Sequence, residues 1–479
     1  VAEKTATIVW FRRDFRLSDN PALRAAVELG NPIVPVFIFS PEEEKDWAPG
    51  GASRWWLHHS LISFSQSLKD KGVGLVIRRG KTVEVLDELI KEAGAKAVFW
   101  NRLYEPEIIK RDTKVKEHLG KLGIEAHSFN GALLKEPSTF SNQAKKPFQV
   151  FTPFWNALEK ILDPALPSGE PERLAGISKK LDSLKISDLN LLPKIKWDSK
   201  FYEVWKPGEK NAQKVLDTFL KASVDDYSTG RDIPSIRGTS HMSPYLHFGE
   251  ISPNQVWHAV KKAGYSEGAK TYLREIGWRE FAHHLLVHFP HTPNQPLREN
   301  FKNFRWEDDS EGLKAWQKGL TGYPIIDAGM RELWTTGWMH NRVRMIVSSF
   351  LVKDLLINWT EGANWFWDTL VDASLANNTL GWQWSGGCGA DAAPFFRIFN
   401  PITQGEKFDK TGHYVRKWVP ELTELPDKYL HKPWEAPEGI LKLAKVELGK
   451  TYPTPIVDHS EARGRALRAF DRIKEKNLC

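Results

Sequence analysis

The chain runs to 479 residues, 41% hydrophobic and 27% charged, so more than one hydrophobic core is expected in a soluble, globular protein. Its formal charge of +7 permits a polyanionic partner without demanding one, and its two cysteines, Cys388 and Cys479, exclude a disulfide framework and Cys-based zinc sites. No apolar run approaches the roughly 20 residues of a membrane span, and the opening VAEKTATIVWF lacks a basic-then-apolar leader, so a reducing, cytoplasmic home is expected.

Over residues 1–130, five β-rich runs alternate with helix-period stretches such as NPALRAAVEL and TVEVLDELIKEAG. The runs are TATIVWF, PIVPVFIF, GVGLVIRR, AKAVFW and IEAHSF, and the alternation predicts a doubly wound, parallel, five-stranded sheet of Rossmann-like class. Neither G-x-G-x-x-G nor a Walker loop follows the first strand, so dinucleotide binding in the usual Rossmann manner is not expected there. Residues 131–204 turn rich in Pro, Ser and Gly, as in ILDPALPSGEPERLAG, and read as a long inter-domain linker with some helix inside. From 205 to 479 the pattern is helical, without repeats or low-complexity tracts. The expected order is α/β first, then all-α.

Three stretches of the helical half carry candidate chemistry. In RGTSHMSPYLHFGEIS, Thr239, Ser240 and Ser243 precede a helical run, and Ser243-Pro244 reads as an N-cap with Pro in the first turn. Hydroxyls and free amides at a helix start suit a diphosphate, although an ordinary capped helix has the same signature. In YLREIGWREFAHHLL, Glu275, Trp278, Arg279 and His283 share one broad helical face. Glu275 and Arg279 at i,i+4 would ordinarily be a surface ion pair, and His283 and His284 lack a third partner at metal spacing. No metal is expected.

The third is GWMHNRVRMI followed by WDTLVDASLANNTLGWQWSGGCG. If 337–346 is helical, Trp338, Asn341, Arg342 and Met345 share a face with Arg344 beside them, a mixture suited to a flat, polar, anionic guest. Arg344 and Asp372 form a plausible buried pair. Asn378 and Trp382 lie i,i+4, whereas Trp384, two beyond Trp382, must point nearly the other way. Seven of the 21 tryptophans fall between Trp334 and Trp384, too dense beside so many polar groups for core filling alone.

Together, WFRRDFRLSDNPAL, GTSHMSPYLHFGEIS, GWREF, TGYPIIDAGMREL, GWMHNRVRMIVSSFLVKDLL and GWQWSGGCGADAAPFFRIFNPITQGEKFD resemble the DNA photolyase/cryptochrome family, nearly from end to end. The likeness is greatest to enzymes that repair cyclobutane pyrimidine dimers, of class I or the related class III. It implies FAD in the helical half and leaves open whether the α/β half holds an antenna chromophore, methenyltetrahydrofolate or 8-hydroxydeazaflavin, or none. By position, Tyr227, Thr239, Ser240, Met242 and Ser243 match the family's diphosphate stretch, and Asn341, Arg344, Asp372 and Asn378 its isoalloxazine contacts, with Ser374 added as a cofactor contact. Trp382, Trp359 and Trp306 match its electron-hopping triad. Arg231, Glu275, Trp278, Arg279, Asn341, Arg342, Met345 and Trp384 match the lesion pocket, and Arg397 and Lys407 are added as phosphate contacts.

The resemblance further implies damaged DNA as partner, a monomer, and a cytoplasmic protein found at the nucleoid when bound to DNA. His241 stands where class I enzymes often carry Arg, and Ser374 where Asp is usual, so details of FAD contact depart from that pattern. NRLYEPEIIKRD lacks the Asn-Glu pair that holds folate in some class I members, which leaves the antenna open. Two rivals stand beside repair. One is a cryptochrome-type photoreceptor, which in plants typically has Asp in place of Asn378. The other is a flavin-binding DNA module without light chemistry, which would not require tryptophan at all three triad positions. Glu275 would donate to a base only if protonated, as burial favours; a salt bridge to Arg279 would keep it ionised.

Overall fold

A computed structural model describes residues 5–391 and 397–475. Strands β1 (Ala6–Phe11), β2 (Ile33–Phe39), β3 (Val76–Arg79), β4 (Ala95–Asn101) and β5 (Glu125–Phe129) form one parallel sheet in the order β3-β2-β1-β4-β5. β1 and β2 are buried along their whole length, which is why they read as continuous apolar runs rather than alternating ones. Helices α1 (Pro21–Leu29), α2 (Gly51–Asp70), α3 (Thr82–Ala93) and α4 (Pro106–Lys121) link successive strands. α1 shows how local sequence sets the bounds. Asn20 caps its start by accepting from the Leu23 amide, Pro21 opens the first turn, and Gly30 ends it at φ +73°.

Strand order reverses between β1 and β4, the place where open α/β sheets ordinarily bind ligands. Here the loop after β1 docks on the helical half: the Phe15 amide donates to the Phe248 carbonyl (3.2 Å) and Arg16 Nη1 to that of Gly249 (2.9 Å). One hydrophobic core runs from Val9 and Phe11 through Trp56 of α2 and Phe151 of α5 (Phe151–Ile161) to Trp205, Tyr245 and Phe281. A second core, around Trp316, Val347, Phe366 and Trp382, draws all its buried residues from the helical half. The two halves therefore share packed surface, which bears directly on where the functional cavity can lie. No helix among the described residues is long and apolar enough to cross a membrane.

The stretch 323–358, read from its periodicity as helical, is interrupted. Gly337 terminates the Pro324–Thr336 helix at φ +67°, and helix resumes only at Asn341, where His340 Nδ1 accepts from the Arg342 amide (3.2 Å). A π turn at Phe350–Asp354 then ends this segment. Trp338 consequently sits on the turn and does not share a helix face with Asn341, Arg342 and Met345. Cys388 is buried, and Cys479 lies outside the described residues.

Candidate active site

A cavity of about 670 Å³ opens in the helical half, and most of the residues singled out from sequence line it. Its floor is the segment 239–243. His241 takes a left-handed backbone (φ +54°) and Met242 a right-handed one, an alternation that turns successive amides toward one side, and the Met242 amide donates to Ser240 Oγ (3.3 Å). Among the described residues, the amides of Thr239, Ser240 and His241 have no protein acceptor. Ser240 Oγ is held by the Tyr272 hydroxyl (3.0 Å). Ser243 is not the N-cap expected from sequence: Met242 occupies that position, and Ser243 Oγ instead donates to Asp372 Oδ2 (2.6 Å). The hydroxyl thus ties the start of this short helix to a carboxylate 129 residues away.

Asp372 is the hinge of the polar wall. Its side chain is 3% exposed, and Arg344 Nη2 donates to both its oxygens, at 2.9 and 3.2 Å. Arg344 Nε donates to the Met339 carbonyl (2.7 Å), and its guanidinium lies 5.9 Å from the Trp338 ring. The expected Arg344–Asp372 pair is thus present. Trp338 faces His241 at 4.4 Å, and burial pushes that imidazole down to about 4, so it is neutral at physiological pH. Asn378 Nδ2 donates to the Ala363 carbonyl (2.9 Å), which leaves its carbonyl oxygen to accept from a guest N–H. Ser374 begins the Leu375–Gly386 helix without capping it through its side chain, and lines the cavity. Asn341 is exposed at the rim, its amide only in loose contact with Met345 sulfur (4.0 Å).

The tryptophans divide by burial. Trp382 is 2% exposed, edge-on to Phe366 at 5.0 Å and to Trp316 at 6.1 Å. Trp359 is buried on the Trp359–Thr369 helix, and Trp306 is half-buried beside Phe304 at 4.4 Å. Trp382 and Trp359 are thus buried, and Trp306 is partly exposed. Trp384 is half-buried, 6.3 Å from Phe399. Both Trp382 and Trp384 line the cavity, although two positions apart on a helix they point nearly opposite ways. Indoles are long enough for residues roughly 200° apart on one helix to reach one wide space.

The outer wall belongs to the Glu267–His288 helix. Trp278 stacks flat on Phe151 of α5 (3.7 Å, 9°) and lines the cavity as well. Glu275 pairs with Arg231, not with Arg279 as its i,i+4 spacing suggests. Burial lowers the Arg231 guanidinium, but the Glu275 carboxylate outweighs it and the net direction is up. Arg279, one position beyond Trp278, turns toward the linker instead and donates to the Ala132 carbonyl (2.8 Å), with Glu280 at 3.4 Å. It is buried at the seam between the halves rather than presented at the mouth. Arg342 lies over the Phe408 ring (4.4 Å) and donates through Nε and Nη2 to Asp232 Oδ1 at 3.2 and 2.7 Å. Arg397 and Lys407 are exposed, Arg397 beside Trp384 in a small side cavity and Lys407 at the end of the Pro401–Phe408 helix.

Some lining residues escaped the sequence reading. Arg13, Arg16, Tyr104 and Glu105 close the far end of the cavity from the loops after β1 and β4, with His247 beside them and His283, already placed by spacing on the face of Glu275 and Trp278. The reversal of strand order at β1 and β4 was the available signal, since it marks where an α/β sheet offers its loops. His283 Nδ1–H donates to the Arg279 carbonyl (2.8 Å), and burial pushes the imidazole down to about 3.

The cradle of amides and hydroxyls, the Arg344–Asp372 pair and the unspent Asn378 oxygen fit a flavin dinucleotide, and so do the family models. Residues 7–172 match the DNA photolyase model, and residues 272–472 match the FAD binding domain of DNA photolyase. The chain is 51% identical to a deoxyribodipyrimidine photo-lyase of Agrobacterium fabrum, over 98% of this chain and 99% of that one. It is 43% identical to cryptochrome-2 of Arabidopsis thaliana, over 98% of this chain and 80% of that one. A class III photolyase structure from Agrobacterium tumefaciens superposes with a TM-score of 0.96 at 50% identity, covering 99% of each chain. This chain belongs to the DNA photolyase/cryptochrome family.

Proposed function

We propose that the protein is a light-driven DNA repair enzyme, a deoxyribodipyrimidine photo-lyase of the class III kind, which splits cyclobutane pyrimidine dimers flipped out of DNA. The observation that carries this reading is one cavity with two kinds of wall. The inner wall, from Thr239 to Ser243 with Arg344, Asp372 and Asn378, suits a flavin; the outer wall offers Trp278 and Trp384 to stack bases. Reduced FAD, when bound, supplies the photoexcited electron that opens the cyclobutane ring and receives it back. The chain's own task is to seat, orient and shield.

The amides of Thr239, Ser240 and His241 take the diphosphate, and Asn378 accepts from the ring N–H. Trp278 is held rigid by Phe151 and presents an indole to the lesion. Extruding the dimer costs a few kcal/mol, less at a damaged step, and that stacking offsets it. Arg231 and Arg342 reach phosphates flanking the lesion once they leave Glu275 and Asp232. Glu275 is then released toward the dimer. Trp306, Trp359 and Trp382 are the side chains that would pass electrons from the surface to a bound, oxidised flavin. We take residues 1–130, 131–204 and 205–479 as antenna half, linker and catalytic half, a monomer working wherever the DNA is. The antenna, folate or deazaflavin, stays open.

The test is blue light on thymine-dimer oligonucleotide mixed with the purified flavoprotein. Restoration of normal thymines, absent in the dark, is expected. A protein loaded with reduced flavin that restores none under light would overturn the repair reading.

A further inference from the structure

The turn 337–340 presents Trp338 and Met339 to the cavity and starts the helix that carries Asn341, Arg344 and Met345, yet it has only four residues and no regular structure of its own. Its shape is imposed from outside. The Val371 amide donates to the Gly337 carbonyl (2.8 Å), and any Cβ on Gly337 would meet the Phe201 ring at 2.7 Å. The Trp338 amide donates to Thr336 Oγ1 (3.2 Å), and that hydroxyl lies 2.8 Å from the Glu332 carbonyl. Further support comes from a buried side chain outside the cavity. Glu332 Oε2 accepts from the His340 amide (3.2 Å) and from the Tyr414 hydroxyl (2.6 Å).

We infer that Glu332 is the positioning residue of the flavin-facing turn: it fixes His340, and through the turn it sets Trp338 and the Met339 carbonyl on which Arg344 rests. The inference builds on the flavin site proposed above. Each link of the chain is a hydrogen bond, from Tyr414 to Glu332, from the His340 amide to Glu332, from Arg344 to the Met339 carbonyl and to Asp372, and from Ser243 to Asp372. Glu332 is 7% exposed and shares its surroundings with Tyr414, His340, Lys417 and Arg344. Burial lifts its carboxyl to about 7 against the Tyr414 and His340 hydrogen bonds. His340 is held down to about 3 by burial, so it stays neutral while Glu332 ionises. As pH rises through neutrality the carboxylate becomes a stronger acceptor and the turn tightens.

The experiment follows release of FAD from the purified holoprotein, with its visible absorption bands, for the native chain, Glu332→Gln, Glu332→Leu and Tyr414→Phe across pH. Gln keeps an acceptor oxygen without charge, so Glu332→Gln should show native bands and a release rate independent of pH near 7. The native chain should release flavin more slowly above neutrality than below. Loss of a hydrogen bond to a charged acceptor should make Glu332→Leu release FAD about tenfold faster. Tyr414→Phe removes a donor that lowers the carboxyl's affinity for protons, so the midpoint of its profile should move up. Native bands and retention in Glu332→Leu would overturn the inference, as would an unmoved midpoint in Tyr414→Phe or a native pH profile in Glu332→Gln. Should Glu332→Leu fail to fold, the other two variants decide. A native protein with no flavin at all would instead remove the proposed function on which this rests.

Discussion

Glu250 offers a quantitative test of how the two halves are joined. It is 0% exposed and sits where the helical half meets α2: Trp56 Nε1 donates to one oxygen (3.1 Å) and Ser60 Oγ to the other (2.5 Å). Burial lifts its carboxyl from an ordinary 4.5 to about 8 in spite of those donors. Below pH 4.5 both folded and unfolded chains hold the proton, and the full contribution to stability is present. Between 4.5 and 8 the unfolded chain ionises while the folded one does not, so stability is lost as pH rises, at about 1.4 kcal/mol per pH unit. From about pH 5 to about pH 8 that amounts to on the order of 4 kcal/mol. Glu250→Gln cannot ionise and escapes the loss. Urea unfolding followed by tryptophan fluorescence, at matched flavin loading, should show the variant gaining on the native protein by that amount over this range. Parallel pH profiles for the two proteins would mean that Glu250 is ionised in the fold, and the reasoning would be refuted.

Asp372→Asn strips the charge partner from Arg344 and weakens the hold on Ser243. Breaking such a pair costs about 3 kcal/mol, so the protein should purify with little FAD, as the ratio of visible to ultraviolet absorbance will show. Trp384→Ala should lose about 1–3 kcal/mol of lesion binding in a fluorescence titration while photoreduction continues; Trp382→Phe should do the reverse, and equal damage to both functions in both variants would sink the division of labour. Gly362→Ala probes the same indole by overpacking. A methyl there would stand 2.0 Å from Trp382 Cη2, and the ring is closed in by Phe366 and Trp316. The strain of about 1–3 kcal/mol should slow photoreduction more than it lowers the unfolding midpoint, because Ala regains about 1 kcal/mol of helix propensity over Gly.

Much of this protein could be read from its residues because the relevant information is local. β1 and β2 are unbroken apolar runs because parallel strands are covered on both faces, and Asn20, Pro21 and Gly30 mark α1 by their own chemistry. Asn378, Trp382 and Trp384 keep the spacing of one helix, so their placement on Leu375–Gly386 followed from sequence. Side-chain partnership did not follow, since it depends on what other elements bring near. Glu275 has Arg279 one turn away, but the loop after Tyr227–Gly230 offers Arg231 while Ala132 of the linker takes Arg279. Ser243 gives its hydroxyl to Asp372 across 129 residues of chain, and Trp338 left its expected helix because Gly337 is pinned by Val371 and Phe201. Periodicity fixes which face of an element is apolar; only packing decides which charge meets which, because a long-range partner held rigid by the core loses less entropy than a flexible neighbour on the same helix.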